Sequence, residues 1–402
     1  MSSRFRRLAV RIAAAALSAM AAGPAWAQGQ EQQAELPSWH IPGWTFTPGV
    51  VFGGLYDSNV TLAGAGDQST AGDKLFQMEP FGQIEFFSPR TTLSGGYHGF
   101  LRRYFDLSAL DSTDHRAYGS WRQRVTRRVT VFANDNFAHV PTTDRLELNG
   151  VPFQRGGARY NDAAGGVEAR LTKSTDLTAR YETTWIDFDR KDGTLTGGTV
   201  NGVRTSLSHR FDARMSLGGE YQFRWADLNG GSRQQAFHDT GALFQYRAAE
   251  DTIFEAAAGF AHLDDRTRGI TRTGPYIRAE LTHRARRATV GAEFRRSYVP
   301  SVAFGGTNQT EEAHGYVQMP LNHNRLYVQE SATWHRNHRL ETTELPLQSI
   351  WLNNVLGYAV QRWFRIEGYY SFTHQDTRVA GGKIDRHVAG VQFVVSEPMR
   401  IR

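Results

Sequence analysis

The sequence predicts an all-β chain: a single transmembrane, antiparallel, up-and-down β-barrel of about eighteen strands, sixteen being the alternative count. Three observations carry this. First, Met215, Leu217, Gly219, Tyr221, Phe223 and Trp225 are apolar or neutral, while the interleaved Ser216, Gly218, Glu220, Gln222 and Arg224 are small, polar or charged. A strand sends successive side chains to opposite faces, so this stretch has one greasy and one wet face. Second, short charged clusters recur with midpoints near residues 89, 125, 174, 211, 249, 285, 323 and 361, mostly 36 to 38 residues apart. Such a period is an internal repeat of one hairpin plus one loop. Third, the alternating runs reach 12–15 residues. That exceeds the common globular strand of about 5–6 and suffices for the roughly 9–11 residues that cross a bilayer at a tilt.

Residues 1–27 have the pattern of a secretory signal peptide. Arg4, Arg6, Arg7 and Arg11 precede an Ala-rich apolar run, Ile12 to Ala22, and Ala25-Trp26-Ala27 fits a cleavage site. An uncleaved anchor is the alternative, but the run is short of the ~20 residues a spanning helix needs. Residues 28–42 are polar and read as a flexible periplasmic segment, leaving 43–402 as the barrel. Those four arginines inflate the charge of +6: the remainder has 42 basic against 40 acidic residues, a balance of +2. This gives no case for nucleic-acid binding. The absence of cysteine excludes disulfides, thiolate metal sites and a cysteine nucleophile. No later stretch reaches 18 consecutive apolar residues, as expected of a barrel that hides its hydrophobicity in alternation.

The first strand candidate is Trp44 to Tyr56, with Trp44, Phe46, Val50, Phe52 and Tyr56 on one side. Beyond it, eight tight turns alternate with nine long loops rich in Gly, Asp, Thr and Asn, so both termini fall on the tight-turn, periplasmic side. Leu177, Ala179, Tyr181 and Trp185 repeat the apolar face, as do Ala288, Val290, Ala292 and Phe294, and then Phe364, Ile366, Tyr370 and Phe372. The strand at Leu326–Trp334 breaks the pattern: Glu330 falls on the greasy side with Val328 and Ala332. A bulge or a shifted register would remove the conflict. Trp185, Trp225 and Trp334 lie 11 to 14 residues past their tight turns and are expected at one membrane interface, with Trp363 at the other.

No catalytic set stands out, no serine–histidine spacing favours a lipase in the wall, and no cofactor or metal is expected. His335 and His338 fall on opposite faces of a strand, which argues against a metal site with His323. The informative polar residues are the wet-face charges, expected to line the lumen: Arg102, Arg180, Glu182, Glu220, Arg224, Glu293, Arg295, Arg365 and Glu367. They form either a ladder of ion pairs that rigidifies the wall or a charged track for a solute. Their mixed signs argue against strong ion selectivity.

The first third of the chain resembles a family of outer-membrane β-barrel porins that accompanies exopolysaccharide biosynthesis genes. The likeness rests on Pro48, the run Tyr56-Asp57-Ser58-Asn59-Val60, Pro80, Leu101 to Phe105 and Asp111 to His115. The last strand departs from a common outer-membrane pattern: the chain ends Met399-Arg400-Ile401-Arg402 without a terminal aromatic, Phe393 being the nearest equivalent. The resemblance implies a Gram-negative outer-membrane location. It also implies a porin-like conduit for exopolysaccharide export or solute passage, with lipid, polysaccharide and export-complex proteins as partners. The alternatives are a closed structural or adhesive barrel whose loops bind outside partners, and an outer-membrane hydrolase. An eighteen-stranded barrel is wide enough for a water channel, and the loop Val140–Gly157 is long enough to fold inward and constrict it.

Overall fold

The computed structural model describes residues 42–64, 70–146, 148, 150–189, 195–228, 233–285, 288–302, 306–321, 325–340, 347–377 and 382–401. The expected signal peptide and nearly all of the expected flexible segment, together 1–41, lie outside this set, as does His323. The strands are β1 (Gly43–Asp57), β2 (Asp73–Phe87), β3 (Thr91–Tyr104), β4 (Ser112–Arg124), β5 (Val129–Thr142), β6 (Arg155–Arg170), β7 (Thr175–Phe188), β8 (Gly198–Arg210) and β9 (Met215–Leu228). The second half continues with β10 (Arg233–Ala249), β11 (Thr252–Asp265), β12 (Ile270–Ala285), β13 (Ala288–Pro300), β14 (Thr307–Leu321) and β15 (Leu326–Arg339). β16 (Leu347–Gln361), β17 (Phe364–Thr377), β18 (Gly382–Ser396) and the short β19 (Met399–Ile401) complete it. Each of β1 to β18 pairs antiparallel with its sequence neighbours in this run, and β18 returns to β1, Gly49 opposite Ser396 through Asp57 opposite Val388. β19 extends the last stave, pairing with Trp44–Phe46. The wall is therefore an eighteen-stave closed barrel with its final stave in two pieces. Closure leaves no unpaired edge, which a sheet in hydrocarbon cannot tolerate.

Alternation sets the faces. On β9, Leu217 and Tyr221 are exposed on the outside, while Glu220 and Arg224 are buried on the inside. On β2, Asp73, Leu75, Gln77, Glu79 and Phe81 are buried, whereas Lys74, Phe76, Met78 and Pro80 stand exposed. The outward surface carries Trp44, Ile84, Tyr97, Trp121, Leu207, Phe260, Leu356 and Val391 in the open. A closed strand wall that shows apolar side chains outward and charges inward is an outer-membrane barrel.

Glu330 departs from expectation. Both ladders of β15 run without a register shift, Glu330 lying opposite Val317 on β14 and Asn354 on β16. No bulge intervenes, and Glu330 is exposed on the outward face between Val328 and Ala332. The sequence pattern there was literal, and the carboxylate faces the lipid side.

Candidate functional site: the lumen and its inward-folded segment

The inward side chains change along the strands. Towards the tight turns, Gln83, Glu85, Ser94, Gly166 and Glu168 are only partly buried. Towards the long loops, Arg102, Tyr104, Asp114, Tyr160, Ile186, Phe188, Leu228 and Ile384 are closed off. Phe132, Ile253 and Tyr327, inward and close to the tight turns, are buried as well, so the packing is not confined to the loop end, but among the described residues it is densest there.

Part of that packing is the connection between β5 and β6. Thr143–Leu146 forms one 3-10 turn with Thr143, Asp144 and Leu146 buried. The Trp351 indole Nε1 on β16 donates to the Asp144 carbonyl at 2.9 Å. The Phe153 amide donates to Gln375 Oε1 on β17 at 2.8 Å, and Gln375 Nε2 donates to the Val151 carbonyl at 3.2 Å. Phe153 also meets the Trp351 ring edge-on at 5.2 Å. β6 and β16 are eight strands apart around the wall, so the segment crosses the lumen. The cause is legible in its composition. Leu146, Val151 and Phe153 are apolar, and burying each contributes roughly 1.5–3 kcal/mol. Gly150, with φ +69°, lets the chain turn where an added Cβ would lie 2.4 Å from Asn308 Nδ2.

One cation fastens the segment to the wall. Arg386 on β18 donates to Asp57 on β1 through Nε at 3.0 Å and Nη2 at 2.6 Å, and to Asp144 through Nη1 at 2.5 Å. All three side chains are nearly inaccessible. Burial pushes the Asp144 carboxyl up, but the charges of Arg386 and Arg145 outweigh it and hold the group below its usual range. Beyond β1, Asn59 ties the first loop inward: its Nδ2 donates to the carbonyls of Ala63 at 2.9 Å and Asp385 at 3.0 Å. Arg155 then links the two inward segments and the β3–β4 loop, donating to the carbonyls of Val60 at 2.8 Å and Leu110 at 3.1 Å. Leu62, with φ +56°, packs with Phe153, Trp351 and Ile384.

The wet-face charges expected from sequence point inward and are mostly committed to pairs. Arg102 donates to Asp114 at 2.5 Å and Gln77 at 3.0 Å. Glu220 accepts from Tyr276 at 2.6 Å and Arg278 at 3.0 Å on β12, and Arg224 donates to Asp239 at 2.6 Å on β10. Arg180 with Glu182, Glu293 with Arg295, and Arg365 with Glu367 pair along single strands at 3.5, 2.8 and 3.6 Å. Glu367 also accepts from Tyr327. Trp185, Trp225 and Trp334 stand on the outward face, and Trp363 sits exposed in the turn before β17. His335 points inward, 3.6 Å from Glu312, and His338 lies on the opposite face. Among the described residues, no group of three or more His, Asp or Glu is placed to hold a metal.

Sequence reasoning did not single out Asp144, Arg155, Trp351, Gln375 or Arg386. The available signal was the apolar run Val151-Pro152-Phe153 inside an otherwise wet loop. Asp57 and Asn59 stand at the end of the first strand and in the run that carries the resemblance, and their bonds tie the end of β1 and the start of the first loop to β18.

No family model matches the chain, and no curated protein matches it. Solved barrels overlap it along most of their length. OccAB4 of Acinetobacter baumannii aligns at 9% identity and a TM-score of 0.43, covering 90% of this chain and 100% of that one. OpdL of Pseudomonas aeruginosa aligns at 11% and 0.40, covering 90% and 99%. The outer membrane protein OpdK of Pseudomonas aeruginosa aligns at 10% and 0.42, covering 88% and 99%. Overlap at this level carries no functional inference, and the barrel assignment rests on the chain's own strand pairing.

Proposed function

We propose that this protein is a porin-like outer-membrane conduit whose resting state is constricted at the extracellular mouth by residues 143–154. The observation behind this reading is the β5–β6 segment itself, which lies inside the wall at the loop end and is held by buried apolar side chains and by ties to inward-facing side chains of β16, β17 and β18. Those ties use side chains and the segment's own backbone and not the strand-to-strand ladders, so the segment can be released without dismantling the wall. Small solutes are the first cargo class, since the mixed charges pair internally and leave no single-sign track. Exopolysaccharide export is the finer reading suggested by the family resemblance, and a polymer would need the segment fully displaced.

The packed mouth also favours a second reading, a closed barrel that presents its outer loops to partners. Planar-bilayer recordings separate the two. The wild type is expected to conduct rarely, whereas a variant with residues 144–153 replaced by a short Gly-Ser linker conducts steadily. If neither conducts, the conduit reading fails and the closed barrel stands.

A further inference from the structure

Two carboxylates face outward within the apolar band among the described residues, Asp135 on β5 and Glu330 on β15. They differ in their surroundings. Asn161 donates to Asp135 at 2.9 Å, so that carboxylate has a partner on its own chain. Glu330 hydrogen-bonds and ion-pairs with none of the described residues. Its outward neighbours are Val317 on β14, Val328 and Ala332 on β15, and Leu352 and Leu356 flanking Asn354 on β16. Only Asn354 is polar.

A carboxylate turned towards hydrocarbon without a partner is costly, less than an arginine but still unfavourable near the middle of the band. Glu330 and Asn354 are direct cross-strand partners, a hydrogen-bond acceptor beside a donor. A two-fold rotation about the membrane normal exchanges the two. It would set each Glu330 against the Asn354 amide of a second copy, giving two reciprocal contacts from one patch, which is the isologous arrangement of a symmetric dimer. The surface permits close approach. Ala313 and Gly315 on β14 and Ala332 on β15 are small outward residues near Glu330, next to the larger Leu352 and Leu356. Small residues let walls meet closely in lipid, where packing and polar contacts drive association.

We propose that the outward face of β14–β16 is a homodimer interface, with Glu330 of each copy accepting from Asn354 of the other. The occupant is a second copy of this chain because the patch is complementary to itself. Association through this face leaves the lumina separate, so the interface stands or falls independently of conduction.

The chain contains no cysteine, so single cysteines report without background. Purified full-length Leu352→Cys in vesicles of one phospholipid, with no other protein present, is expected to give a species of twice the chain mass with a short bis-maleimide. Leu217→Cys on β9 stays monomeric. Adding Glu330→Leu to Leu352→Cys is expected to lower the cross-linked fraction at least tenfold, and Asp135→Leu to leave it unchanged. If Glu330→Leu fails to assemble, Asn354→Ala on the Leu352→Cys background carries the same expectation. Cross-linking of Leu352→Cys no greater than that of Leu217→Cys overturns the proposal. So does a dimer indifferent to both Glu330→Leu and Asn354→Ala.

Discussion

Arg386 on the last long strand and Asp57 at the end of the first are held in a forked contact, Nε and Nη2 against the carboxylate, at the seam where the barrel closes. The third nitrogen, Nη1, reaches Asp144 in the inward segment. One guanidinium therefore joins the closing strands to the element that fills the mouth. Arg386→Met removes the cation but keeps most of the side-chain volume. It leaves two inaccessible carboxylates without their partner, at a cost of roughly 3–5 kcal/mol. That is a large share of a typical stability of about 5–15 kcal/mol. The expected result is a lowered urea midpoint of the folded band on unheated gels, together with more frequent conductance. An unchanged midpoint would show that the fork contributes nothing net.

Acid should act at the same point. The Asp144 carboxyl is held below its ordinary range, so its contribution is fully present above the unfolded value near 4 and disappears as pH falls through the lower folded value. Conductance is therefore expected to stay low from pH 8 to 5 and to rise only below about pH 4. With Asp144→Asn, that rise should move towards neutrality or vanish into a constant leak. Opening of the wild type between pH 6 and 7 would point to a histidine instead.

Gly150 tests the seating of the segment. Gly150→Ala meets a left-handed backbone and the Asn308 amide together. The backbone alone costs about 1–2 kcal/mol, and the contact forces the segment to shift. The expected outcome is a normal heat-modifiable wall with residues 143–154 newly cut by protease added from outside. Protection equal to the wild type would mean that the turn relaxes locally.

The two faces of the wall predict opposite responses. Leu217 is exposed on the lipid side, and an arginine near the middle of the band costs roughly 2–4 kcal/mol, so Leu217→Arg and Val290→Arg should impair assembly. Glu293→Gln should assemble almost normally, since its contact with Arg295 is partly accessible to water. Glu220→Gln is different: Glu220 is buried between Tyr276 and Arg278. Losing a hydrogen-bonded charge there is expected to cost about 1.5–3 kcal/mol. Equal behaviour of the two glutamine variants in urea would contradict that ranking.

Topology is checked by labelling. Arg266→Cys, in the exposed β11–β12 loop, should react with an impermeant maleimide on whole cells, and Ala213→Cys, in the β8–β9 turn, should react only after lysis. Reaction of both on intact cells would invert or refute the orientation.

Much of the wall was readable from residues because each face meets one solvent along its whole length. Met215 to Trp225 reveals its two sides by chemistry alone, and the spacing of turns counts the staves. Partner choice was less readable. Glu220 finds Arg278 three strands away because β9 to β12 curve around one part of the lumen, and no spacing along the chain encodes that curvature. Glu330 was readable and looked like an error, because the rule it breaks assumes that lipid is the outer face's only neighbour. The inward path of residues 143–154 left one trace, Val151-Pro152-Phe153, which a loop exposed to water would not need.

The ties of that segment have a consequence for the order in which the molecule is made. Asp144 is 242 residues from Arg386 and 207 from Trp351, so its anchors lie on strands that arrive late in the chain. Contacts between such distant positions are the slowest to form, since a long stretch must be ordered before they return anything. The wall can zip from hairpin to hairpin, but the mouth cannot fill until β16, β17 and β18 are in place. An insertion intermediate halted before the last hairpin would be a wide hole in the membrane, which makes completion of the seam the step on which the cell's barrier depends.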